Sequence, residues 1–71
     1  MFIKKNSEII NLNHVTSMVP FRGVDSESIQ FTILDGRLIN WHFSSLKERE
    51  LTISNIEKLI GCIDIDELNK G

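Results

Sequence analysis

The chain is poor in the residues that build most small-protein chemistry. It has one cysteine, Cys62, in 71 residues. An internal disulfide is therefore impossible, and no cluster of cysteine and histidine has the spacing of metal ligands. It has one proline, no tyrosine and no alanine. The four glycines are isolated turn residues, so no glycine-rich loop is available to cradle a phosphate. No nucleophile motif of the Gly-x-Ser-x-Gly kind occurs. No apolar run approaches the ~20 residues of a membrane-spanning helix. The opening Met1, Phe2, Ile3, Lys4, Lys5 turns polar at once and does not resemble a cleavable leader. Together with the single cysteine, this predicts a reducing, cytoplasmic setting. The net charge of −2, with both signs spread along the chain, argues against an electrostatic nucleic-acid binder.

What the sequence does contain is one clear hairpin. Ile29, Gln30, Phe31, Thr32 and Ile33 alternate apolar and polar, as do Ile39, Asn40, Trp41, His42 and Phe43, with Asp35-Gly36 between them. The parity of the two strands selects the turn. A two-residue loop at Asp35-Gly36 sets Phe31 opposite Asn40, mixing apolar and polar residues on one face. A three-residue loop over Leu34, Asp35 and Gly36 pairs Ile33 with Arg37, Phe31 with Ile39 and Ile29 with Trp41. The apolar residues of both strands, Phe43 included, then share a face. Because a one-residue slip exchanges the faces of a strand, burial selects the second register. Gly36 is expected in the left-handed position of the turn.

Around this hairpin the chain reads as short elements. Residues 2–5 form a first strand, Asn6-Ser7 a turn, and residues 8–12 a second strand. Asn13 and His14 mark a bend. Residues 15–19 resume an extended run that Pro20 is expected to end, and residues 22–26 read as an exposed loop. Ser45-Leu46-Lys47-Glu48 is a capping box. It opens one helix over about 45–60, with Leu46, Ile53, Ile56 and Ile60 at helical spacing and Gly61 as its stop. Thr52-Ile53 and a second capping box at Ser54 leave a bend or break open. The reading is an α+β fold: an antiparallel meander of about four strands with one C-terminal helix on its apolar face. Residues 1–61 form a single domain. Residues 62–71 form a tail that is a short edge strand, a helical turn or a partner-binding arm.

The groups that carry chemistry elsewhere have ordinary roles in this reading. His14 and His42 are surface or interface histidines. Cys62 is a buried small hydrophobe. Trp41 points into the core, and the helix glutamates face water. No acid–base pair or nucleophile with a partner is present, so the chain is expected not to be an enzyme and to need no cofactor or metal. The second sheet face, with Gln30, Thr32, Asn40 and His42, is the candidate interaction face. Lys4, Lys5, Arg22 and Arg37 form its candidate basic rim.

The order of a first strand, EIINLNHVTSM, IQFTILDGRLINWHF and a capped helix resembles small uncharacterised bacterial or phage proteins. It is loosely similar to the swarming motility protein family. The resemblance covers most of residues 2–60 by pattern and implies a small accessory protein. It transfers no functional residue.

A 71-residue domain buries only about 60% of the surface its unfolded chain exposes. Such chains lean on disulfides, metals or partners, and the first two are missing. The expected function is therefore a non-enzymatic protein-interaction module that self-associates, as a dimer, and docks a protein partner. The alternative is a nucleic-acid-associated accessory regulator using Lys4, Lys5, Arg22, Arg37, Lys47 and Arg49 against phosphates. A third option is a small-ligand pocket near Trp41.

Overall fold

A computed structural model describes residues 1–23 and 26–70. Two hairpin-built sheets and two helices follow in order. They are β1 (Phe2–Lys5), β2 (Glu8–Asn11), a 3-10 turn (Leu12–His14), β3 (Val15–Arg22), β4 (Glu27–Ile33), β5 (Leu38–Phe43), α1 (Leu46–Ile60) and α2 (Ile65–Lys70). The fold is α+β with antiparallel pairing, but among the described residues it has five strands in two sheets, not one meander of about four. β1 pairs only with β2, while β3, β4 and β5 form a separate sheet in that order.

The division lies at the 3-10 turn. Asn11 Oδ1 accepts the Asn13 N–H at 3.0 Å, an Asx-type bond that turns the chain out of β2. β3 therefore sets off in a new direction and does not pair beside β2. The β1–β2 turn is closed by Asn6 at φ 56°, a left-handed position that asparagine tolerates.

The β4–β5 hairpin has the expected register. Ile29 lies opposite Trp41 and Phe31 opposite Ile39. The Ile33 N–H donates to the Arg37 carbonyl and the Gly36 N–H to the Ile33 carbonyl, each at 2.9 Å, which closes the loop over Leu34, Asp35 and Gly36. Gly36 has φ 91°, where a side chain would be strained. Asp35 then accepts the Arg37 N–H at 3.0 Å and its Nε–H at 2.7 Å.

This register gathers Ile29, Phe31, Ile33 and Trp41 on one face, all buried. Phe31 and Trp41 meet edge to face with centroids 5.1 Å apart, a geometry that suits their quadrupoles. Two elements cover the face. α1 contributes Ile56, with Ile53 half-buried beside it, and the β1–β2 hairpin contributes buried Ile10 and half-buried Ile3. A lone helix leaves such a sheet half bare; the N-terminal hairpin is the second cover.

Pro20 does not end β3. The strand continues to Arg22, with Pro20 opposite Ile29. β3 is an edge strand, and an edge tolerates the missing N–H. Arg22 accordingly closes β3 opposite Glu27 and is not part of a loop. Of the expected loop at 22–26, Val24 and Asp25 lie outside the described residues.

α1 is unbroken. Ser45 caps it by accepting the Glu48 N–H at 3.1 Å, while Glu48 reaches back to the Ser44 N–H and hydroxyl rather than to Ser45 itself. Thr52 donates its hydroxyl to the Glu48 carbonyl at 2.9 Å and introduces no break. Gly61 ends the helix at φ 68°. The apolar face of α1 is narrower than its spacing implied, since Leu46 and Ile60 are both exposed and Arg49 is buried in their stead. Of the readings open for the tail, the strand does not form and the helical one does. The tail holds α2, opened by Asp64, whose Oδ1 accepts the N–H groups of Asp66 and Glu67. Cys62 is exposed, not buried, because it follows the helix stop where the chain leaves the body. No helix of the described residues is long and apolar enough to cross a membrane.

Replacing Phe31, which is 0% exposed, with alanine is expected to destabilise the fold by about 3–5 kcal/mol. Leu34→Ala, at a site 67% exposed, is expected to change stability by less than about 0.5 kcal/mol. Urea titrations read by Trp41 fluorescence compare the two directly.

Candidate functional site

A surface concavity lies beside the indole of Trp41. An open groove of about 610 Å³ runs between the β1–β2 turn, with Lys5, Asn6, Ser7 and Glu8, and Asn40, Trp41 and His42 of β5. Its floor is fixed by one bond: the Trp41 Nε1–H donates to Glu8 Oε1 at 2.6 Å. The ring itself is buried, as the strand parity requires, so it is a wall and a hydrogen-bond anchor rather than an exposed stacking platform. The bond joins residues 33 positions apart and ties the covering hairpin to the sheet.

A second groove, about 330 Å³, adjoins the first and is lined by Lys4, Lys5, Trp41, Phe43, Glu48 and Leu51, among others. Lys5 Nζ sits 5.0 Å from the Phe43 ring centroid, a cation–π contact. Across this groove the Ser44 hydroxyl and then the Ser44 N–H hold the Glu48 carboxyl below its ordinary pKa of 4.5, with the Lys5 charge helping. At the far turn, the Arg37 N–H, followed by its guanidinium, lowers the Asp35 carboxyl likewise.

The four residues of the proposed interaction face share one side of the sheet, with Gln30 directly opposite Asn40. Asn40 and His42 are exposed and line the Trp41 groove, whereas Gln30 and Thr32 are half-buried between the two outer strands of their sheet. β3 adds residues that the hairpin alone did not reveal. Val19 lies opposite Gln30 and Phe21 opposite Ser28, and both side chains are about half exposed, as is Leu38 of β5. The face is thus more apolar along its β3 side than its β4 and β5 residues indicate.

The basic rim does not assemble. Lys4 and Lys5 share the second groove, but Arg22 and Arg37 stand at opposite ends of β4. Each arginine is also engaged locally, Arg22 with Glu27 at 3.1 Å and Arg37 with Asp35 at 2.7 Å. Arg49, grouped by sequence with the phosphate-facing cations, is only 8% exposed and binds Glu27 at 2.7 Å. Glu27 bridges the two arginines, a role that its place beside an expected loop gave no reason to suspect. His14 lies in the 3-10 turn and His42 on the sheet, and among the described residues no group of three His, Cys, Asp or Glu side chains is placed to hold a metal ion.

The two sheet edges differ. The β3 edge carries Pro20 and an irregularity in register between Val15 and Ser17, devices that discourage pairing. β5 pairs with β4 without a break and has no proline, so its outer edge beside the Trp41 groove is open.

Glu8→Leu is expected to destabilise the fold by roughly 1–3 kcal/mol through the unpaired indole N–H, with Glu8→Gln largely retaining stability because an acceptor remains. Glu48 supplies a pH test. Its carboxyl is held below 4.5 in the folded chain, so its stabilising effect is complete well above 4.5 and fades as the pH falls through the folded value. Thermal unfolding of Glu48→Gln and the native chain is expected to differ most at neutral pH and to converge in acid. No family model, curated protein or solved structure matches this chain.

Proposed function

We propose that this chain is a non-enzymatic interaction module that works by associating with copies of itself. The observation that carries this is surface. A folded monomer of 8.2 kDa exposes about 4,500 Å², and this chain exposes 5391 Å². The surplus, roughly 900 Å², is close to the ~800 Å² that each partner contributes to an ordinary stable interface. Shape agrees with area: the Cα radius of gyration is 12.8 Å, against about 11 Å for a compact chain of this length.

Large apolar side chains are part of what is exposed. Phe2, Ile9, Phe21, Leu38, Ile63 and Leu68 are each more than half exposed. Large apolar side chains left in water on so small a body mark interaction surfaces. The nucleic-acid reading draws less support, because Arg49 is buried against Glu27 and Arg22 and Arg37 stand at opposite ends of β4.

Sedimentation velocity over a wide concentration range tests the proposal. A mass that rises from one chain to two with concentration is the expected result. A single 8.2 kDa species up to millimolar concentration would overturn it.

A further inference from the structure

Resting on the self-association proposed above, we infer its interface: the C-terminal arm of one copy seats Ile65 and Leu68 in an apolar groove between β3 and α1 of a second copy, and the exchange is reciprocal. The groove, about 290 Å³, is lined chiefly by Leu12, Val15, Met18, Ile56, Ile60 and Cys62. Unlike the Trp41 groove and the groove that adjoins it, which both contain lysine and glutamate, it has no charged lining residue. Its occupant must therefore be apolar.

The chain carries such an occupant. Ile63, Ile65 and Leu68 are 72%, 59% and 65% exposed. Ile65 and Leu68 are three apart in α2, so they share one face. A six-residue helix lying free in water is too short to be stable without a surface to pack on. That surface is not its own groove. Every residue from Gly61 to Lys70 is exposed while the groove stands open, although Cys62, where the arm departs, is part of the lining.

Stoichiometry and area point to a second copy. Each chain carries such an arm and such a groove, so mutual insertion about a twofold axis closes the assembly at two chains. The surface surplus of this chain matches one partner's share of such an interface. The groove has no charge to screen, so the association is expected to be insensitive to salt, unlike binding to a nucleic acid.

The test uses the full chain. Ile65→Asp with Leu68→Asp is expected to weaken the dimer by roughly a hundredfold in sedimentation velocity, from the lost burial of two apolar side chains. Both positions are exposed, so far-UV dichroism and Trp41 emission should be those of the native fold. A second measurement identifies the contact. Thr16→Cys and Leu68→Cys are made in separate chains, each with Cys62→Ser, then mixed under oxidising conditions. A heterodimeric disulfide is the expected product, since Thr16 also lines the groove. A native dimer that survives the arm substitutions, with no disulfide formed, overturns this interface while leaving self-association standing. If Asn40→Pro then dissolves that dimer, the open β5 edge replaces it. A native chain that remains monomeric throughout overturns both readings.

Discussion

The register of β4 against β5 is the constraint on which the rest of this structure depends. A loop of three residues rather than two brings Ile29 opposite Trp41 and Phe31 opposite Ile39. That choice creates a single apolar face, and every other element is arranged around it. Met18 of β3 packs against it from the side, Ile53 and Ile56 of α1 from above, and Ile3 and Ile10 from the N-terminal hairpin. With the alternative register, half of these side chains would face water and neither cover would have anything to pack on.

A second, more costly interaction fixes α1 over that face. Arg49 and Glu27 meet at 2.7 Å with only 10% and 13% of their side chains exposed. Arg49 also donates to the Phe21 carbonyl at 3.4 Å and to Glu50 at 3.1 Å, while its buried Nε finds no partner among the described residues. Desolvation of such a pair offsets much of its attraction, so its worth lies in specifying geometry more than in adding stability. It ties the first turns of α1 to the start of β4 and the end of β3. An isolated apolar residue at position 49 would pack without that directional demand. Leu46 and Ile60, at the two ends of the helix, are exposed, while Ile53 and Ile56 pack on the core.

The proposed self-association draws on what these two devices leave undone. One sheet face, one helix and one hairpin complete a small core, and the apolar residues beyond it have no place inside the chain. They collect along β3 with Val19 and Phe21, on the outer side of the N-terminal hairpin, and most densely in the arm after Gly61. The Trp41 groove is different in kind. It is polar, open and organised by the Trp41–Glu8 bond, a tether within the fold.

The sequence by itself determined the elements whose signals are local. The β4–β5 turn follows from the parity of alternating residues and the demand of Gly36 for positive φ. The extent of α1 follows from Ser45 and Gly61, and the inward direction of Trp41 from its strand. Each rests on neighbours within a few positions, where pleat, cap and turn chemistry act. Tertiary structure decided the rest. Whether β2 pairs with β3 depends on how the 3-10 turn aims the chain. Whether Pro20 ends a strand depends on that strand lying at an edge. Arg49 reads as a solvent-facing cation until Glu27, 22 residues away, is folded against it. The candidate face was legible in Gln30, Thr32, Asn40 and His42, but Val19 and Phe21 join it only through the register of β3. Lys4, Lys5, Arg22 and Arg37 read as a rim because sequence carries charge without distance. Contacts between residues far apart in the chain are set by how the covers pack on one apolar face, and no local pattern encodes that packing.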